Sequence, residues 1–130
     1  MYRFESTITV GKDDLDELDH VNNVTYVKWI QEVSREHWHS VTDTAISEVM
    51  VWVVREHHIT YVSPARIDEI LTAVTYIQKT KGPISTRIVE IRNNKTNKLV
   101  VTSSTDWCLL DAKTFRPKRV PEFIKKRFDP

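Results

Sequence analysis

The 130-residue sequence predicts an α+β fold, an antiparallel β-sheet wrapped around one long α-helix. Three observations carry this expectation. Residues 2–10 alternate apolar and polar side chains, and residues 23–39 repeat apolar ones near helical spacing. From about residue 48, successive strand-like runs follow with no helix between them. Parallel strands need long, usually helical, crossovers, so consecutive strands point to antiparallel pairing, read here as a meander.

In the first element, Tyr2, Phe4, Ile8 and Val10 alternate with Arg3, Glu5, Thr7 and Thr9, the period of a strand with one buried face. Residues 11–21 form a polar, acidic loop. In the helix, Val27, Ile30, Val33 and Trp38 fall near one stripe, while Val24, Tyr26 and Trp29 put apolar groups on other faces. A helix apolar on several sides is buried on several sides, and a sheet curved around it supplies that burial. Strands are expected at 48–62, at 68–79 after Pro64, at 85–92 and at 98–110. Lys81-Gly82-Pro83 punctuates one junction, and Asn93-Asn94-Lys95-Thr96-Asn97 reads as a hairpin turn. Pro121 suits the first position of a short C-terminal helix. With no repeat or linker, residues 1–130 are expected to form one domain.

Composition narrows the function classes. A hydrophobic content of 40% can build a core, and a formal net charge of +1 gives no global field for nucleic acid or an anionic membrane. The single cysteine, Cys108, excludes an intrachain disulfide and reads as a core thiol between Trp107 and Leu109. The first six residues lack a signal peptide's apolar run, and no stretch approaches the ~20 apolar residues of a membrane span, so a soluble cytoplasmic protein is expected. With Gly11 and Gly82 as the two glycines, neither a dinucleotide fingerprint, a P-loop nor a Gly-x-Ser-x-Gly elbow can be written. His37-x-His39 and His57-His58 lack the i, i+4 spacing of a zinc-hydrolase pair, and no metal site is expected. His57 and His58 would face opposite sides of a strand. His37 and His39 fall near the helix C-terminus, where a cation is favoured.

The chemistry concentrates just before the helix. Asp14, Asp16, Glu17, Asp19 and His20 form a short polar run, followed by Asn22 and Asn23. Either asparagine can cap the helix by accepting from a free first-turn amide. The helix start carries partial positive charge and unpaired N–H groups, here those of Asn22, Asn23 and Val24. An acid–base group beside such donors suits hydrolysis of an acyl ester or thioester.

The stretch Asp14-Leu15-Asp16-Glu17-Leu18-Asp19-His20-Val21-Asn22-Asn23-Val24-Thr25-Tyr26 also resembles the start of the central helix in hotdog-fold thioesterases of the 4-hydroxybenzoyl-CoA thioesterase type. It is similar, too, to the related acyl-carrier-protein thioesterases. His58 through Leu71, with its Pro64-Ala65 pair, resembles the family's strand, bend and next strand. Trp107-Cys108-Leu109-Leu110-Asp111 and Arg116-Pro117-Lys118-Arg119-Val120-Pro121 resemble its closing strand and tail. Three matches in family order are more specific than any one of them.

The resemblance implies a hotdog fold, a homodimer or homotetramer with active sites at the subunit interface, and acyl-CoA thioesterase activity without a diffusible cofactor. The rival readings are a carrier-protein thioesterase, a hotdog dehydratase or hydratase, and a non-catalytic acyl-thioester binding protein. Asp16, ten residues before Tyr26, stands where the family has its catalytic carboxylate, acting as nucleophile or general base. Asp14 reads as a turn residue. His20 matches a histidine of the carrier-protein enzymes four residues after their aspartate, whereas Leu18 replaces their asparagine. Asp19 stands where the 4-hydroxybenzoyl-CoA enzymes have glycine, a residue that permits positive φ. Asn23 would complete the catalytic set as oxyanion donor. Asn22, Val24 and Tyr26 would contact substrate, and Lys79, Lys81 and Gly82 align with the family's CoA-contact region.

Overall fold

A computed structural model describes residues 2–130. In chain order the elements are β1 (Phe4–Thr9), a single 3-10 turn (Lys12–Asp14), α1 (Asn23–Val41), α2 (Thr44–Ser47), β2 (Met50–Tyr61), β3 (Ile70–Lys81), β4 (Ile84–Asn93), β5 (Leu99–Asp111) and α3 (Glu122–Phe128). The strands form one antiparallel five-stranded sheet in the order β1-β3-β4-β5-β2.

The expected meander therefore holds for β3, β4 and β5 and fails for β2, which lies at the far edge beside β5. The reason is the helix. After β1 the chain must lay α1 across the sheet to bury its apolar stripe, and this carries β2 to the opposite edge. The return to β3 passes the Pro64-Ala65 bend, where the amides of Val62 and Ser63 both bond Val100 O and Ala65 O accepts from Val21 N–H. The β3–β4 turn has Gly82 at φ 59°, a left-handed conformation that its missing Cβ permits without strain.

Helix α1 packs closest to β3 and β1. Val10, Tyr26, Trp29, Ile30, Val33, Leu71 and Val89 belong to one apolar cluster, centred on the first half of the helix. Met50, Leu109, Val120, Ile124 and Phe128 form a second, under α3. Between them the inner face turns polar: Ser34, His37, Thr75, Ser85, Arg87, Ser103 and Thr105 are all buried. Three details depart from the sequence reading. Val24 is 74% exposed rather than buried. His37 is fully buried, so it does not serve as a cation at the helix end. Pro121 occupies the N-cap of α3, one position before the first helical residue.

Candidate active site

The acidic loop folds around Asp16. Leu15 bridges Val21 across the loop, and Asp16 N–H donates to His20 O at 2.7 Å. One carboxylate oxygen of Asp16, Oδ1, accepts from the amides of Leu18 (2.8 Å) and His20 (3.2 Å). Oδ2 takes part in no hydrogen bond or ion pair among the described residues. Asp16 thus holds the loop's shape with one oxygen and leaves the other without a hydrogen bond, an arrangement in which turn formation does not occupy the whole carboxylate. Asp14 uses Oδ2 to accept from Gly11 N–H at 2.8 Å and its carbonyl to accept from Asn22 N–H at 2.8 Å, the arrangement of a turn residue.

Asp19 has φ 58°. The local geometry thus keeps the left-handed backbone that a glycine at this position would adopt freely, and aspartate tolerates it at some cost. We therefore expect Asp19→Gly to leave the loop intact and raise stability by about 0.5–1 kcal/mol in urea melts. A destabilised variant would show that the Asp19 side chain supports the loop in some other way.

At the helix start, the Asn22 side chain accepts from Val24 N–H at 2.9 Å, and Asn22 O accepts from Thr25 and Tyr26. Of the three amides singled out in the sequence, that of Asn22 is bonded to Asp14 and that of Val24 to the cap. Asn23 N–H alone has no partner among the described residues, and Asn23 is exposed. Its position at the positive end of a 19-residue helix makes it the available donor for a developing oxyanion. Only the backbone of His20 is engaged, through its amide and carbonyl.

Tyr26 is buried, packs edge-on against Trp29 and tilted against Tyr61, and its hydroxyl oxygen accepts from Ala65 N–H at 3.2 Å. Burial raises its pKa, and the Ala65 bond opposes that rise. The side chain therefore pins the Pro64-Ala65 bend to the helix. Around the loop and the bend, Leu18, Val24, Tyr61, Val62, Ile67 and Ile70 expose apolar surface, which suits an acyl chain or a second chain better than water.

Lys79, Lys81 and Gly82 lie at the other end of the sheet. The acidic loop meets the start of β3, where Asp68 N–H bonds Val10 O and Val21 bonds Ala65, whereas Lys81-Gly82 follows the end of β3. Eleven strand steps of ~3.3 Å separate Ile70 from Lys81, roughly 36 Å. A single chain does not bring these residues to Asp16. Sequence reasoning also passed over a half-open cavity of about 370 Å³ between α1 and the β2 side of the sheet. It is lined by Trp38, Trp52, Trp107, Ser85, Arg87 and Phe128 among others. The signal for it was the period of two in β4, which puts Arg87 on the same face as Val89 and Ile91.

Comparison with known proteins agrees with this architecture. The chain is 26% identical over 131 residues to the acyl-CoA thioester hydrolase YbgC of Escherichia coli, covering 96% of this chain and 95% of that protein. A 1,4-dihydroxy-2-naphthoyl-CoA thioesterase from Synechocystis superposes with a TM-score of 0.85 at 13% identity, covering 98% of this chain and 96% of that one. A Staphylococcus aureus protein solved in complex with CoA superposes with a TM-score of 0.86 at 18% identity, covering 97% and 81%. These structural likenesses establish the hotdog fold. A family model described as the thioesterase-like superfamily matches residues 10–128, nearly the whole chain, and on that match the protein belongs to the thioesterase-like superfamily and is a thioester hydrolase of hotdog fold.

Proposed function

We propose that the protein hydrolyses acyl-CoA thioesters to the free acid and CoA in the cytoplasm, with Asp16 as the reacting carboxylate and the Asn23 amide as oxyanion donor. One observation carries the reading: a carboxylate with one anchored and one free oxygen stands on the loop that leads into a helix whose first amide is unpartnered. The thiolate leaving group needs little acid assistance, so a carboxylate and one donor suffice for attack on the thioester carbonyl. Family membership and the similarity to the acyl-CoA thioester hydrolase YbgC support the acyl-CoA substrate.

The working unit we infer is a dimer joined along β2. This strand is 12 residues long against six for β1, at the other edge, and it presents Val53, Val54 and Tyr61 to solvent. A long, unpaired, partly apolar edge is a template for pairing. Antiparallel pairing of two β2 strands sets the Tyr61 end of one protomer beside the Met50 end of its partner. The acidic loop lies at the Tyr61 end, through Val21–Ala65. Gly82-Pro83 lies at the Met50 end, through Leu109 N–H to Pro83 O and the pairing of Leu109 with Trp52. One protomer's Asp16 and its partner's Lys79–Gly82 turn would then share one end of a continuous sheet, and the lysines could meet CoA phosphates there.

The test is a thiol-release assay on acyl-CoA and acyl-carrier-protein panels, run alongside a solution mass measurement. Turnover of acyl-CoA by a dimer or larger assembly is the expected result. Turnover restricted to carrier-protein substrates would replace the substrate assignment, and an active monomer would remove the shared site.

A further inference from the structure

The cavity beside the second half of α1 contains a charge that the thioesterase mechanism does not use. Arg87 projects from the inner face of β4 and is 4% exposed. Its Nη1 donates to His37 Nδ1 and to Thr75 Oγ1, each at 2.9 Å. Because a guanidinium can only donate, His37 Nδ1 is the acceptor and the imidazole is neutral with its proton on Nε2. Thr75 in turn donates to Ile88 O at 2.8 Å. Burial lowers the guanidinium to about 9, so it remains a cation at neutral pH.

No carboxylate answers that cation. Among the described residues the ion pairs are Lys28–Glu32, Arg92–Glu90 and Lys125–Glu122, none of them at this site. The buried polar side chains are Ser, Thr, His and Arg, with no Asp or Glu. Phe128 offers a ring face 5.5 Å from the guanidinium, which does not neutralise it. With Nη1 occupied, Nε and Nη2 form the free edge, the fork that meets a carboxylate with two parallel bonds. Ser85, Trp52 and Trp107 also line the cavity, but their own polar atoms are buried behind its surface. A buried cation ordinarily has an anionic partner, so an unpaired guanidinium edge in the wall of a cavity marks a place for an acceptor.

We propose that this cavity is the acyl pocket of the enzyme and that it selects acyl groups ending in a carboxylate, held by the Nε/Nη2 edge of Arg87. The apolar part of the lining, Trp38, Met50, Val54 and Ile77, suits the methylene chain that joins this carboxylate to the thioester, while Gln31, Ser34, Arg35 and His39 form a polar helical side. The inference rests on the thioesterase reading for the thioester, and on the cavity alone for the anion. The shape also indicates which active site the pocket serves. Its helical lining runs from Gln31 to His39, about 12–24 Å along α1 from Asn23, too far for a short acyl chain within one protomer. Its β2 lining, Met50, Trp52 and Val54, is at the end that antiparallel pairing brings beside the partner's helix start. The pocket of one protomer therefore serves the reacting carboxylate of its partner.

The experiment compares glutaryl-CoA with pentanoyl-CoA, which differ at the distal carboxylate. The wild-type protein should favour glutaryl-CoA in kcat/KM by roughly 10- to 100-fold, the range for a hydrogen-bonded charged group. In Arg87→Gln that ratio should fall towards one, and Arg87→Lys should restore part of it. Should Arg87→Gln fail to fold, Arg87→Lys, which keeps the charge but loses the fork, should still lower the ratio several-fold. Three of the four tryptophans line the cavity, so glutarate binding is also readable by their fluorescence, with glutaramide as the uncharged control. Equal kcat/KM for the two thioesters in the wild type, with no fluorescence response to glutarate, overturns the proposal while the thioesterase reading stands. A fluorescence response to glutarate without hydrolysis of either thioester keeps the anion pocket and removes the thioesterase reading instead.

Discussion

Asp16→Asn is expected to lower kcat on acyl-CoA substrates by about 10²- to 10⁴-fold, the usual contribution of a positioned acid–base group. The substitution isolates the proposed chemistry because the loop contacts of Asp16 reside on one oxygen and the proposed reaction on the other. Asparagine keeps an oxygen to accept from the Leu18 and His20 amides, the contacts that hold the loop. What changes is the other oxygen, which becomes an NH₂ group and can neither attack a carbonyl nor take a proton from water. The thermal melt should therefore stay close to wild type. KM should move little, since the loss falls on the transition state. Asp14→Asn is the contrast: its carboxylate bonds the Gly11 amide at 2.8 Å, and its replacement should cost a little stability and little rate. Thiol release by Asp16→Asn within threefold of wild type would move the reacting group elsewhere. A single turnover in heavy-oxygen water then separates the two roles, because a nucleophilic Asp16 takes up the label in its own carboxylate and a general base does not.

How much of this was legible in the sequence depends on which physical signal each feature leaves. Strand β1 and helix α1 announce themselves because a face that meets a core imposes its period on the side chains. The place of β2 does not, since its side-chain pattern says that it is a strand and nothing about its neighbour; the length and direction of α1 decide that. The spacing of a motif is what proposes Asp16, and the left-handed backbone at Asp19 was legible through the glycine that the motif leads one to expect there. The separation of Lys79–Gly82 from Asp16 was not, because alignment along a chain is blind to which end of a sheet a turn occupies. Arg87 was half legible. Its alternation with Val89 and Ile91 puts a cation on a buried face, but whether a carboxylate waits opposite is a tertiary fact. That absence makes the residue informative.

His37 should make the fold acid-sensitive well above the carboxylate range. It is fully buried on α1, its ring is stacked on Phe4, and its Nδ1 accepts from Arg87. Burial first, and the nearby guanidinium second, lower its pKa from 6.5 to about 3. Above pH 6.5 the imidazole is neutral in both the folded and the unfolded chain, and it contributes no pH dependence. Below that, the unfolded chain gains a proton that the folded one refuses until about pH 3, so stability falls as pH falls through this window. Each pH unit costs up to ~1.4 kcal/mol, or roughly 3 kcal/mol between pH 7 and pH 4, a large share of the 5–15 kcal/mol typical of a domain. His37→Asn provides the test, since its side-chain oxygen can accept from Arg87 in place of Nδ1 but does not titrate. The variant will lose some packing at every pH, so the quantity to read is the slope of stability against pH, from urea melts between pH 4 and pH 7. Between about pH 4 and pH 5.5 wild type should show close to one more proton taken up on unfolding than His37→Asn, the difference fading towards pH 7. Parallel slopes for the two proteins would mean that His37 accepts a proton inside the fold and that Arg87 does not hold it neutral.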